Sequence, residues 1–251
     1  MQNSKPVAAT TVHTRIQALV FSAKAWVHRA QRAMLGPAAQ RLVKCTRPDS
    51  APLAAESCTI LRASTHPAEQ RLQDGKVRNL AVAAQFLDAL RIPAGAIFSF
   101  WRHVPRPTRR AGFVEGRELR EGCIVPAVGG GLCQLSNALY AAALDAGCEI
   151  IERHAHSRIV PGSAAAAGRD ATVFWNYVDL RFRPMHDLWL ETTLTSGHLI
   201  VRLHGKAAPP ADHTLSCAPA TVTARSCETC DEAACFRHRE FHGGRETHIE
   251  N

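Results

Sequence analysis

Aromatic residues are scarce, at 6% of the chain, and no basic stripe is interleaved with them. Surfaces that hold nucleic acid usually combine stacking platforms with a cationic groove, so the scattered arginines argue against RNA or DNA as partner. No apolar run reaches the roughly 18 residues that a membrane-spanning helix needs. The N-terminus lacks a basic start followed by a short apolar block, so no secretory signal is read and a cytoplasmic location is expected. Internal repeats are absent. Strands and helices do not alternate regularly, which excludes a doubly wound parallel sheet. The glycine run at 129–131 is not followed by Gly-Lys-Ser/Thr, so a phosphate loop is set aside.

What is present fits one full core with a small appendage: 251 residues, 46% of them hydrophobic. The formal charge of +8 suits an anionic partner, such as a membrane surface or an acidic cell-wall polymer, without choosing among them. Nine cysteines are an odd number, and their spacing does not form a small secreted disulfide framework; reduced thiols or a metal site fit better.

Residues 1–45 are read as an N-terminal segment in which Val12, Ile16, Leu19, Val20, Ala23, Trp26, Val27, Ala30 and Met34 trace an apolar helix stripe, closed by Gly36-Pro37. Its other face carries Arg15, Lys24, His28, Arg29 and Arg32. Such a helix packs on the domain or a partner, or makes peripheral contact with an anionic membrane through residues 12–35. Residues 46–75 read as an irregular connection with one short strand near Thr59–Arg62. A core domain over 76–205 opens with a helix from Lys76 to Arg91, followed by a turn and a strand at Ile97–Trp101. Residues 105–121 suit a mobile wall of a cleft. Later strand-like runs cover Glu149–His154, Ala171–Tyr177, Asp179–Arg183, Leu188–Thr195 and His198–His204, with Ser196-Gly197 as a hairpin turn. The fold class is therefore α+β: N-terminal helices, a central helix after a glycine-rich loop, and a mostly antiparallel C-terminal sheet.

The central stretch runs from Val128 to Gly147. Leu135, Ala138, Leu139, Ala142 and Ala143 recur at the spacing of a buried helix face, and Gly147 closes the helix. Cys133 then falls in the first turn, where unpaired N–H groups and the helix dipole favour a thiolate and lower its pKa. Gly129, Gly130 and Gly131 would let a substrate backbone approach the sulfur and leave N–H groups for a developing oxyanion. A cysteine at this place is also compatible with a small buried hydrophobe. A nucleophile needs a base and a group that orients it. His156 is the preferred base; His154 shares its strand face and is the alternative. Asp170 is placed to orient the imidazole, with Asn176 and Asp179 as weaker substitutes.

Five stretches resemble the VanW family in order: Lys76-Val77-Arg78-Asn79-Leu80, Pro93 to Phe100, Gly129 to Asn137, Glu152 to Ser157 and Gly168 to Val173. The resemblance spans roughly residues 70–185. It implies a cysteine-dependent acyl transfer of the L,D-transpeptidase kind on peptidoglycan peptides or cell-wall precursors. On that model Cys133 forms a thioester, His156 moves the proton, Asp170 orients it, and N–H groups near Gly131 to Gln134 hold the oxyanion. Gly130, Gly131, Gln134 and His154 would line the substrate, and Arg153 and Arg158 would take a substrate carboxylate, although a solvated strand end suits both arginines as well. The alternative is a non-catalytic binding or accessory protein using the same cleft.

The tail, 206–251, lies outside that common core. Cys217, Cys227, Cys230, Cys235 and His238 offer soft and borderline ligands in a short loop, which suits a structural tetrahedral zinc, or an iron–sulfur cluster, against free thiols.

Overall fold

The computed structural model describes residues 38–62, 67–120, 123–155 and 167–207, together with Ala23, Trp26, Val27 and Ala30. Five of the nine stripe positions, Val12, Ile16, Leu19, Val20 and Met34, therefore lie outside the described residues; the four described positions are helical, and Trp26 and Val27 are exposed. The tail with its five candidate metal ligands also lies outside, as do His156 and Arg158.

Helix α1 spans Pro67–Leu87, helix α2 Phe100–His103 and helix α3 Leu132–Asp145. Proline suits the first turn of α1, where its missing N–H costs no hydrogen bond, and Glu69 complements the dipole there. Ala89, at a φ of 64°, turns the chain after α1, and its N–H bonds to the carbonyl of Leu190. Gly147, at a φ of 70°, closes α3, and the Cys148 N–H bonds back to Ala143.

Strands β1 (Leu53–Ile60), β2 (Arg91–Ile92), β8 (Leu188–Leu194) and β9 (His198–Gly205) form an antiparallel sheet in the order β1-β9-β8-β2. Strands β3 (Phe98–Ser99), β6 (Glu149–Glu152) and β7 (Arg181–Arg183) form a second sheet in the order β3-β7-β6. Strands β4 (Glu115–Arg120) and β5 (Cys123–Val128) pair only with each other. Helices and antiparallel sheets together make this an α+β fold.

The core lies between the helices and the four-stranded sheet, with α1 on β8 and α3 on β1 and β9. Alternation along β9 sends Leu199, Val201 and Leu203 into that core and leaves Arg202 outside, paired with Glu56 and Glu191. All five apolar positions predicted for α3 are fully buried.

Three expectations change. The connection before residue 76 is not irregular: it holds β1, eight residues paired with β9, and the first turns of α1. Its alanines and polar residues carry little strand signal, and pairing supplies the order. The strand expected at Ile97–Trp101 stops at Ser99, whose hydroxyl accepts the Arg102 N–H and caps α2. Residues 171–177 form no sheet strand; they carry only an isolated bridge between Phe174 and Val178.

Candidate active site

Cys133 is the second residue of α3. The helix is entered through Gly131, whose φ of 105° only glycine adopts readily, and no side chain caps it. Burial is the main influence on the thiol and pushes it up to about 11; the carboxylates of Glu118 and Asp170 push the same way. Main-chain contacts at Val173 and at Cys133 itself oppose this without reversing it. The thiol donates to the Val173 carbonyl at 3.7 Å. The expectation of a lowered pKa is therefore corrected: the helix dipole is outweighed by the loss of water around the sulfur, and the resting form is the protonated thiol.

The glycine run also has a different task from the one expected. A Cβ on Gly130 would sit 2.3 Å from the carbonyl oxygen of Gly116 in β4, and one on Gly131 would sit 2.2 Å from Cγ of Lys76. These glycines let the loop, β4 and α1 cross at backbone distance. They face protein, not an approaching substrate. Asn79 of α1 locks the crossing, since its amide donates to the carbonyls of Val114 and Gly130 at 3.0 Å while its oxygen accepts from the Val114 N–H. The N–H groups of Gly129, Gly130, Leu132 and Gln134 are bonded to carbonyls of the same region. An oxyanion donor in this turn would come from Gly131 or Cys133.

Gln134 is likewise occupied, donating to Thr59 Oγ1 at 2.9 Å and to the Ile60 carbonyl at 2.8 Å, and so it ties α3 to β1. Its expected contact with substrate gives way to this structural tie.

The segment 169–173 runs against α3 as a strap held by side chains of the helix. Arg169 makes a two-pronged pair with Asp145, the Asn137 oxygen accepts from the Ala171 N–H at 2.7 Å, and Ser136 donates to the Ala171 carbonyl. Cys133 to Val173 is the last contact in that series. Positions 133, 136 and 137 lie within about 100° of one another around the helix and read the strap, and Asp145 anchors it at the helix end. Asp170 is buried and paired with Arg153 at 2.5 Å, and Arg153 also donates to the Asp170 carbonyl and lies over the Tyr140 ring. Arg153 is therefore engaged inside the domain, not presented to solvent for a carboxylate. His154 is partly exposed and lies 3.2 Å from Glu152. Asp179, a substitute orienting group in the sequence reading, instead accepts from Ser99 at 2.6 Å and from the Trp101 and Leu180 N–H groups.

One buried charged residue escaped the sequence reading. Lys76 is only 7% exposed. Burial, then Arg117, then Arg62 bring its ammonium down from 10.5 to about 7. Its stem lies against Gly131, two residues before Cys133. The signal was available: Lys76 opens one of the five family-like stretches and shares a helix face with Leu80.

An open cleft of about 430 Å³, lined by Cys45, Arg47, Asp88, Trp189 and His204 among others, lies at the far end of α1. At 1.5 Å per residue, Asp88 is about 18 Å along the axis from Lys76. That cleft is not the surround of Cys133. Among the described residues no group of three metal-ligating side chains occurs, and no helix is long and apolar enough to cross a membrane.

An α+β domain with a cysteine at the uncapped start of its central helix, enclosed by segments far apart in sequence, is the class that this geometry defines. The chain belongs to the VanW family: the family model, described as VanW like protein, matches residues 75–204. It is 36% identical over 116 residues to vancomycin B-type resistance protein VanW of Enterococcus faecalis, covering 44% of this chain and 42% of that one. It is 32% identical over 128 residues to the uncharacterized protein YoaR of Bacillus subtilis, covering 50% of this chain and 42% of that one. The chain thus spans less than half the length of these relatives. No solved structure matches it.

Proposed function

We propose that the protein is a cysteine-dependent acyl-transfer enzyme acting on a peptide, with peptidoglycan peptides as the substrate class. The observation that carries this reading is the convergence of separate stretches on the start of α3: the 169–173 strap reaches the Cys133 sulfur at Val173, and the Lys76 end of α1 packs against Gly131 of the glycine turn. In this scheme the Cys133 sulfur attacks the peptide carbonyl while His156 takes the thiol proton. The tetrahedral adduct collapses to a thioester as the same proton passes to the departing amine. A second amine then attacks the thioester and the thiol is restored. Asp170, already anchored by Arg153, is the group assigned to orient the imidazole. Because the resting thiol is protonated, the base has to act when substrate is bound and water is displaced.

The second reading, a non-catalytic binding protein, draws on the thiol's raised pKa and its bond to Val173. The two part in one experiment, alkylation of Cys133 followed by mass spectrometry from pH 6 to 9, in wild type and in His156→Ala. The enzyme reading expects modification near neutral pH when peptidoglycan fragments are present, and its loss in the variant. A Cys133 inert up to pH 8.5 in both proteins, with and without fragments, would leave the binding reading standing. For the tail we propose a structural zinc held by Cys227, Cys230 and Cys235 with Cys217 or His238. Metal analysis of the purified chain against a four-cysteine variant tests it.

A further inference from the structure

The inward face of α1 changes character along its length. Leu80, Ala83 and Leu87 are fully buried, as expected of a core stripe. One, two and three turns earlier the same face carries Lys76, Gln73 and Glu69, and these are also buried, at 7%, 0% and 3% exposure. Gln73 is the anomaly. Neither its amide nitrogen nor its oxygen has a hydrogen-bond partner among the described residues. An unpaired buried amide costs about 1–3 kcal/mol per group, and native structures rarely leave one without a reason.

The neighbours of Gln73 point to what is missing. Lys76, one turn on, lies with its stem against Gly131, at the uncapped start of α3. Arg117 and Arg62 are close enough to depress its ammonium, and Glu69 acts on Arg117, so the arginine is partly balanced while Lys76 is not. The Glu118 carboxylate acts on the Cys133 thiol, pushing it up. Arg62 already has Asp74 at 2.8 Å, which leaves Lys76, beside the uncapped start of α3, as the group that calls for an anion. Gln73 calls for something more specific, because it has both a donor and an acceptor to satisfy. A peptide group supplies both. Solvent is reached at the half-buried Gly131 and Cys133, with Lys76 packed against Gly131 and Gln73 one turn further along α1.

We infer that Lys76 and Gln73 form the subsite for the carboxylate-bearing end of the peptide substrate: Lys76, backed by Arg117, takes the carboxylate, and Gln73 pairs with the adjoining peptide group. This rests on the acyl-transfer reading for the word substrate, but the subsite is a binding property that survives without catalysis. It defines the substrate class as a peptide with a free carboxylate near the acylated carbonyl. Lys76 and Gln73 are binding residues in this assignment, not proton carriers.

The test has two arms on the full chain. The first compares Cys133 modification by iodoacetate, a carboxylate, with modification by iodoacetamide, its neutral amide, at pH 6.5. The expected iodoacetate-to-iodoacetamide ratio is at least about tenfold above that of free cysteine, falling to the free-cysteine ratio in Lys76→Met and staying high in the exposed control Arg110→Gln. A wild-type ratio equal to that of free cysteine overturns the subsite. Inertness to both reagents is what the resting protonated thiol gives, and the second arm then decides. That arm measures thermal stabilisation by N-acetyl-alanyl-alanine, by its C-terminal amide and by inorganic phosphate. Stabilisation by the acid alone, lost in Lys76→Met and weakened in Gln73→Leu, supports the inference. Equal effects of acid and amide, no effect of either, or an effect of phosphate alone overturns it.

Discussion

The two halves of α1 have the same burial and opposite chemistry. The C-terminal half puts Leu80, Ala83 and Leu87 against β8 and the core, where removal from water stabilises the fold at about 25 cal/mol per Å². The N-terminal half buries Glu69, Gln73 and Lys76 beneath β4, where dehydration of polar groups costs stability. The comparison separates what holds the domain together from what the domain holds in readiness. A face built only for stability would have remained apolar to its first turn.

The largest expected effect breaks the apolar half. Leu80→Ala removes a side chain with no exposed surface and should cost about 2–5 kcal/mol in urea unfolding, with the denaturant slope unchanged. A loss below about 1 kcal/mol would mean that α1 is not the core helix described. Next comes the crossing between the halves. Gly130→Ala drives a methyl into the backbone of Gly116 and should cost about 1–3 kcal/mol, read as faster amide exchange in β4.

Lys76→Met sharpens the comparison through pH. In the folded protein the ammonium loses its proton at about 7, whereas the unfolded chain keeps it to about 10.5. Above pH 7 the unfolded state binds more protons, so stability rises with pH through that window and the full cost of the buried charge is present below it. Between pH 7 and 9 the rise should be about 2–3 kcal/mol, at about 1.4 kcal/mol per pH unit. Above pH 9 the Cys133 and Cys148 thiols oppose it, since they hold their protons to about 11 and 12 in the folded state and release them near 9 when unfolded. Lys76→Met should flatten the rise from pH 7 to 9 and leave the decline above it. An unchanged pH profile would show that Lys76 is hydrated. The smallest effect is that of Gln73→Leu, which removes two unpaired polar atoms and should stabilise the domain by about 1 kcal/mol. A destabilised variant would show that the amide already has partners.

The same polar half explains where the sequence was hard to read. Apolar periodicity places the start of α1 at Lys76, although the helix begins at Pro67, because Glu69 and Gln73 on the inward face break the pattern. Helix α3 was legible because its buried face is unbroken from Leu135 to Ala143. The β8–β9 hairpin was legible because its alternation is strict and Ser196-Gly197 marks the turn. Residues 171–177 look strand-like, but Ala171 and Val173 hydrogen-bond to side chains of α3, an arrangement that no local pattern signals. At the site, the position of Cys133 in the first turn of α3 was readable, while the state of its thiol was not.

By itself the sequence determined the α+β class, the family, the extent of α3 and the place of Cys133 on it, because periodicity, turn residues and motif order are properties of neighbours along the chain. Tertiary structure alone decided that the glycines serve a backbone crossing, that Gln134 and Arg153 are bound within the domain, and that Lys76 and Gln73 are buried, Lys76 with its stem against Gly131. The reason is physical: pKa, burial and hydrogen-bond satisfaction depend on which distant residues exclude water from a group, and that is settled only when α1, β4 and α3 meet.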